Sequence, residues 1–244
     1  MPDRAPIPTL RLEPLTGNLV GSTVEFLDTV ESTNDRALAC GVDGAVIVAE
    51  QQTLGRGRHG NTWHSAPGLG LWFSVALKGP SRGLMFAASL AVREAAMSRA
   101  ALSIKWPNDL ICAGKKVCGI LVEHREGWSA VGIGINVHHR LEDFPESLRA
   151  LAGSLESTTG VEWDRSVLLW NVLERIDDYV RQLRRGGFDD IRAFWSVACQ
   201  IVGQTVCREG LTGRVVAIDE EGALLVETPG GRRERIAHEV EILP

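Results

Sequence analysis

Apolar residues recur along this chain in two rhythms. Leu169, Leu173, Ile176, Val180 and Leu183 fall at three- and four-residue steps between Asp164 and Gly186-Gly187, which predicts a helix with an acidic cap and a glycine stop. Residues 84–101 predict a helix buried on one side, and a further helix is expected around 188–199. Residues 35–40 predict a short helix, with Glu31-Ser32-Thr33-Asn34 offering caps and Gly41 a stop. Elsewhere the apolar runs are short. Residues 45–49 read as a strand, and residues 69–77, with Trp72, Phe73 and Val75, read as a buried one. Four more strands, over 103–106, 110–112, 117–123 and 128–137, are separated by turn residues at Pro107-Asn108-Asp109, Ala113-Gly114-Lys115 and Glu126-Gly127. That pattern predicts a run of hairpins.

The texture changes near residue 200. Thr205-Val206-Cys207, residues 214–218, residues 223–227, Arg235-Ile236-Ala237 and residues 240–243 are β-rich runs divided by Gly-containing turns, a spacing that predicts a small barrel. Because helical and strand-only patterns are segregated, the fold class is α+β, with one unit over 1–197 and a second over 198–244.

Composition narrows the class of function. The chain has 244 residues, 26 Lys+Arg against 31 Asp+Glu for a net charge of −5, and 44% hydrophobic content, as ordinary globular proteins do. Mild acidity argues against broad nucleic-acid binding. Residues 1–6 contain no apolar export signal, and the most apolar run, 84–92, is ended by Arg93 well short of a membrane span. Cys40, Cys112, Cys118, Cys199 and Cys207 are odd in number and contain no C-x-x-C pair. Neither a disulfide framework nor a zinc site is indicated, and a reducing cytoplasm is the expected compartment.

Gly55-Arg56-Gly57-Arg58-His59-Gly60 follows a predicted strand and matches G-x-G-x-x-G, but residues 61–68 break any helix and no acid follows before Arg93. A dinucleotide-binding fold is therefore excluded. The acid-free stretch from Gln51 to Arg93 carries Arg56, Arg58, Lys78, Arg82 and Arg93, which predicts a local positive field. Glycines let backbone N–H groups approach an anion, and guanidiniums fork onto carboxylate or phosphate, so a polyphosphate or acyl phosphate suits the loop. A solvated flexible loop or an RGG-like nucleic-acid contact is the alternative.

A second constellation follows. Lys105-Trp106-Pro107-Asn108-Asp109 ends a strand in a turn, Gly114-Lys115-Lys116-Val117-Cys118-Gly119-Ile120-Leu121 starts the next with cations beside an apolar wall, and Gly132-Ile133-Gly134-Ile135-Asn136 forms a third. Singly these read as turn formers, a solvated hairpin tip and packing glycines. Together, in this order, and with Ser32-Thr33-Asn34 and the stretch from Gln52 to Trp63, they resemble the biotin protein ligase family over residues 28–137.

The resemblance implies a catalytic domain related to class II aminoacyl-tRNA synthetases, with a C-terminal SH3-like β-barrel. It also implies an enzyme, a biotin–[biotin carboxyl-carrier protein] ligase, that makes biotinyl-5′-AMP from biotin and MgATP and passes the biotinyl group to a carrier lysine. The expected partners are biotin, ATP with Mg2+, and a biotin carboxyl carrier protein, with no nucleic acid and no membrane; a homodimer is compatible. Since the first motif begins only some thirty residues in, the short form without an N-terminal DNA-binding domain is expected.

Residue roles follow from the same resemblance. Ser32, Thr33 and Gln52 fall to biotin's polar ring, Gly119, Leu121 and Trp63 to its apolar channel, Arg56 to its carboxylate, and Asn34 to the biotin site as a whole. Gly55, Arg56, Gly57, Arg58, Gly60, Asn108 and Asn136 fall to the nucleotide. Lys116 is expected between the carboxylate and the α-phosphate, with Arg58 helping to neutralise charge and Asp109 positioning or deprotonating the acceptor lysine. Metal ligands are not assigned. Asn61 stands where many members have arginine, so that cationic contact to the nucleotide is either absent or supplied by another group such as His59. His138-His139 are adjacent on an extended segment without a third ligand and read as a loop feature. A lipoate or octanoate ligase or transferase of the same fold is the nearest alternative, and a non-enzymatic nucleotide or nucleic-acid binding module the more distant one.

Overall fold

Ser32 and Gly41 bracket the first helix, one extended with its hydroxyl facing the Asp35 amide, the other, lacking a Cβ, left-handed at φ 67°. The computed structural model describes residues 9–11, 13–238 and 240–243; residues 1–6, read above for an export signal, lie outside them. In chain order the elements are β1 (Val24–Val30), α1 (Thr33–Cys40), β2 (Val46–Gln52), β3 (Gly70–Lys78), α2 (Leu84–Ala96), β4 (Ser103–Lys105) and β5 (Asp109–Cys112). There follow β6 (Lys115–Arg125), β7 (Trp128–Asn136), α3 (Leu155–Thr159), α4 (Arg165–Arg184) and α5 (Phe188–Cys199). The C-terminal strands are β8 (Thr205–Arg208), β9 (Leu211–Ile218), β10 (Leu224–Glu227), β11 (Arg233–Ile236) and β12 (Glu241–Ile242).

The first seven strands form one mixed sheet in the order β1-β2-β3-β7-β6-β5-β4, in which only the β1–β2 pair is parallel. Strand side chains alternate between faces, and the sequence uses both sets. Leu71, Phe73, Val75 and Leu77 of β3, Val131, Ile133 and Ile135 of β7, and Cys118 and Ile120 of β6 pack with α2 and α4 in the main core. The intervening residues, Trp72 and Ser74, Gly132 and Gly134, Gly119 and Leu121, face the other side, where α1 lies. All the hairpins predicted from β4 to β7 are present.

Several elements differ from expectation. β1 was not expected because VEFLDTV mixes polar and apolar residues without alternation, as suits a half-exposed edge strand. α2 ends at Ala96 rather than 101: Met97, Ser98 and Arg99 are exposed, and the Arg93 side chain draws the returning Leu102 carbonyl to 3.1 Å. α1 begins two residues earlier than predicted, so Thr33 and Asn34 stand in its first turn.

The C-terminal strands form an antiparallel sheet, β11-β10-β9-β8-β12, with no pairing between β11 and β12 among the described residues. The predicted barrel is thus open. Its apolar residues Val206, Val215, Leu224 and Val226 join Phe86 and Leu90 of α2, Trp106, and Ile191 and Trp195 of α5 in one cluster. Trp106 also donates its indole N–H to the Gly222 carbonyl at 2.7 Å. Among the described residues, no helix is long and apolar enough to cross a membrane.

Candidate active site

The first turn of α1 sets a row of polar side chains against the sheet. Gln52 Oε1 accepts from both the Thr33 amide (2.8 Å) and the Thr33 hydroxyl (3.0 Å), while its Nε2 donates to Ser65 Oγ at 2.9 Å. The Gln52 amide is therefore held in one orientation. Beside it, Asn34 Nδ2 donates to the Leu121 carbonyl (3.2 Å) and to Glu123 Oε2 (2.6 Å). Asn34 can sit there because residue 132 lacks a side chain: a Cβ on Gly132 would come within 2.3 Å of Asn34 Oδ1.

Trp63 lies over the neighbouring glycines. A Cβ at Gly134 would meet its indole at 2.4 Å, and one at Gly119 would meet Cζ3 at 2.8 Å. Gly119 and Gly134 face each other across β6 and β7, so two bare positions form one seat for an indole. The ring stands edge-on to Trp72, with centroids 6.2 Å apart. Its Nε1–H is buried without an acceptor among the described residues.

The Gly/Arg segment folds back on itself rather than opening a helix. The Gly57 amide donates to the Asn61 carbonyl at 2.7 Å, the Trp63 amide to the Gly55 carbonyl at 2.8 Å, and His59 turns the chain with φ 56°. Its two guanidiniums have different partners. Arg56 makes paired bonds to Asp35 at 2.7 and 2.9 Å and reaches Glu123 at 3.2 Å. The Arg56 guanidinium holds Asp35 below the usual carboxylate range, and the Asp35 hydrogen bond in turn raises Arg56. Acids distant in sequence therefore neutralise part of the positive field expected of residues 51–93. Arg58 crosses to the C-terminal sheet, donating to the Ala237 carbonyl at 3.3 Å, while its Nη1 is buried with no acceptor among the described residues. His59 lies 5.5 Å from His238, ring to ring.

Lys116 stands opposite the loop. Its Nζ lies 2.7 Å from Asp109 Oδ1 and 5.4 Å from the Trp63 ring centre. The strand beneath it is braced by a segment that sequence reasoning missed: the Lys116 amide donates to the Leu151 carbonyl (2.8 Å), and the Gly153 amide to the Lys116 carbonyl (3.0 Å). Asn108 Nδ2 donates to the Ile120 carbonyl at 2.7 Å, which fixes the turn leading to Asp109. Asn136 Nδ2 is bonded to the Gly153 carbonyl at 3.0 Å.

Most of the expected site residues line one open cleft: Ser32, Thr33, Asn34, Gln52, Arg56, Gly57, Arg58, Trp63, Asn108, Asp109, Lys116, Gly119 and Leu121. Gly55, Gly60 and Asn136 are not among its lining residues; Gly55 instead packs against the Trp63 carbonyl, and Gly60 forms the loop tip.

Residues 28–139 match the biotin/lipoate A/B protein ligase family, and residues 205–241 match the biotin protein ligase C-terminal domain. The chain is 33% identical over 240 residues to the biotin–[acetyl-CoA-carboxylase] ligase of Paracoccus denitrificans, covering 88% of this chain and 98% of that one. This chain belongs to the biotin protein ligase family. It is likewise 31% identical over 248 residues to the bifunctional ligase/repressor BirA of Bacillus spizizenii, across 93% of this chain and 76% of that protein. The solved biotin protein ligase of Aquifex aeolicus in complex with biotin and ATP matches with a TM-score of 0.78 and 33% identity, covering 91% of this chain and 98% of that one. The mixed sheet with its appended antiparallel sheet is the biotin protein ligase fold.

Around the cleft of this biotin protein ligase, several side chains serve structure. His138 and His139 are buried; His138 pairs with Glu156 at 2.8 Å, and His139 stacks on Phe144 with ring centres 4.7 Å apart. Cys118 is buried behind Lys116, and burial raises its thiol pKa far above the ordinary value. Asp35, Glu123 and Ser74 were overlooked by sequence reasoning. Ser74 carried a usable signal, a polar residue within an apolar strand.

Proposed function

We propose that this biotin protein ligase uses the cleft to activate biotin with ATP and then biotinylates a lysine of a biotin carboxyl carrier protein. The supporting observation is that the Thr33–Gln52 polar pair, the Trp63 wall and Lys116 line a single cleft. Biotin has a polar ureido ring on an apolar body ending in a carboxylate, and the cleft lining includes groups of each matching kind. Ser32, Thr33, Asn34 and Gln52 take the ring. Gly119, Leu121 and Trp63 form the apolar channel, and Arg56 with Lys116 receives the carboxylate. Gly55, Gly57, Gly60, Arg58, Asn108 and Asn136 serve the nucleotide, from the cleft lining or from the backbone beside it. Magnesium enters as part of the MgATP substrate. Among the described residues no group of three His, Cys, Asp or Glu could hold a metal, and Asp109 is the carboxylate that lines the cleft.

In the first step the carboxylate oxygen attacks the α-phosphorus, the α–β phosphoanhydride breaks, and pyrophosphate leaves. Two anions must meet, so the work is positioning and charge neutralisation by Lys116 and Arg58. In the second step a carrier lysine amine attacks the mixed anhydride carbonyl and AMP leaves. Asp109 positions that amine or takes its proton. The catalytic unit in this reading is residues 1–197, the C-terminal unit is residues 198–244, and the setting is the cytoplasm.

Incubation with biotin, MgATP and a biotin carboxyl carrier domain tests the proposal. The expected result is a biotinyl mass gain on one carrier lysine, slowed about 10²–10³-fold by Lys116→Ala. Gain with lipoate instead of biotin would favour the lipoate ligase reading. No gain with either would overturn both.

A further inference from the structure

β3 carries a polar side chain where its pattern calls for an apolar one. Ser74 is fully buried between Phe73 and Val75 and does not line the cleft. A buried hydroxyl costs free energy unless it is bonded, so its partners account for its presence. Ser74 Oγ lies 2.7 Å from Thr33 Oγ1 and 2.7 Å from Asn34 Oδ1. The Thr33 hydroxyl proton is directed to Gln52 Oε1, so the single Ser74 proton is shared between its two acceptors on α1, Thr33 Oγ1 and Asn34 Oδ1. At the other end of the Asn34 amide, Nδ2 donates to Glu123 Oε2, and Glu123 accepts from Arg56 Nη2. One hydrogen-bonded line therefore runs Gln52, Thr33, Ser74, Asn34, Glu123, Arg56.

The two ends of that line are the groups assigned above to the ring and to the carboxylate of biotin. We propose that Ser74 and Glu123 are positioning residues that grip opposite ends of the Asn34 amide and so fix the spacing between the ring-binding pair and Arg56. The inference rests on the biotin reading of the cleft. Neither residue needs to touch the substrate. Gly132 belongs to the same device, because it stands opposite Ser74 on β7 and leaves the space that Asn34 occupies.

Biotin-dependent pyrophosphate exchange by the full chain provides the test. In Ser74→Ala the KM for biotin is expected to rise about tenfold, the equivalent of one hydrogen bond, with kcat and the KM for ATP within about twofold of wild type. Ser74→Cys, which keeps a weak donor in the same space, is expected to give an intermediate KM. Because Ser74 and Glu123 act through one amide, Ser74→Ala combined with Glu123→Gln should raise KM by clearly less than the product of the single effects. A lowered Tm with unchanged biotin KM in Ser74→Ala, or strictly multiplicative effects in the double variant, would overturn the inference. If wild type itself shows no biotin-dependent exchange, the reading of the cleft falls and this inference with it; if wild type exchanges and the KM of Ser74→Ala does not move, this inference alone falls.

Discussion

A single absent methyl group matters at Gly134, where a Cβ would lie 2.4 Å from the Trp63 indole. Neither partner can yield cheaply, since the glycine is paired on both sides within the sheet, with Trp72 of β3 and Gly119 of β6, and the indole stands beside Trp72. Gly134→Ala is expected to expel Trp63 from its seat, raise the biotin KM at least about tenfold, and cost about 1–3 kcal/mol of stability through overpacking. Tryptophan fluorescence and biotin titration check both effects, and an unchanged KM would show that the indole seat does not shape the pocket. Charge at the same scale was harder to read. The arginines of the Gly/Arg loop are plain in the sequence, but Asp35 and Glu123 reach Arg56 from α1 and β6. Because Arg56 depresses the Asp35 pKa, the pair stabilises the fold above the unfolded carboxylate value of about 4, and that contribution is lost as pH falls through the lower folded value. Asp35→Asn should therefore lower Tm at pH 7, with the difference from wild type closing as the pH drops below about 4.

Elements with one clean period were legible, and those shaped by neighbours were not. α4 repeats its apolar residues at helical steps between Asp164 and a glycine pair, and its observed bounds follow those signals. The glycines of β6 and β7 announced close packing; the family resemblance, not the strand pattern, put Trp63 near Gly119, and the seat of the same indole on Gly134 emerges only in the fold, because Trp63 arrives from another segment. The segment between β7 and α3 carries neither period, so its pairing with Lys116 stayed invisible. That pairing gives a prediction at this scale. A Cβ on Gly153 would lie 2.7 Å from Lys115 Cβ, so Gly153→Val should push the segment off the strand and shift Lys116. Turnover is expected to fall about 10–100-fold, as misplacement of a fixed group by about 1 Å does, without any change to a side chain in the cleft. Single-turnover adenylate formation measures this; a wild-type rate would mean that the brace does not position Lys116.

At the scale of the whole molecule, the sequence suggested two units, whereas the apolar side chains form a cluster that crosses their boundary. Trp195 is fully buried, stacks edge-on to Phe86 at 4.9 Å, and donates its indole N–H to Ser89 Oγ at 3.0 Å, which ties α5 to α2. The strands of the C-terminal sheet complete the same cluster, and Trp106 is bonded to Gly222 within it. A sheet lacking a core of its own cannot unfold without exposing Phe86, Leu90 and Trp106 of the larger unit. The chain is therefore expected to melt in one transition, with calorimetric and van't Hoff enthalpies in agreement. Trp195→Ala should lower that transition as a whole, by about 3–5 kcal/mol, rather than split it. The Gly/Arg loop should respond as well, since Arg58 reaches Ala237 and His59 lies against His238. Protease cleavage within residues 55–63 should accelerate in Trp195→Ala below its melting temperature, in step with loss of adenylate formation. Two separated transitions, or a loop no more sensitive than in wild type, would show that the two units fold and act apart.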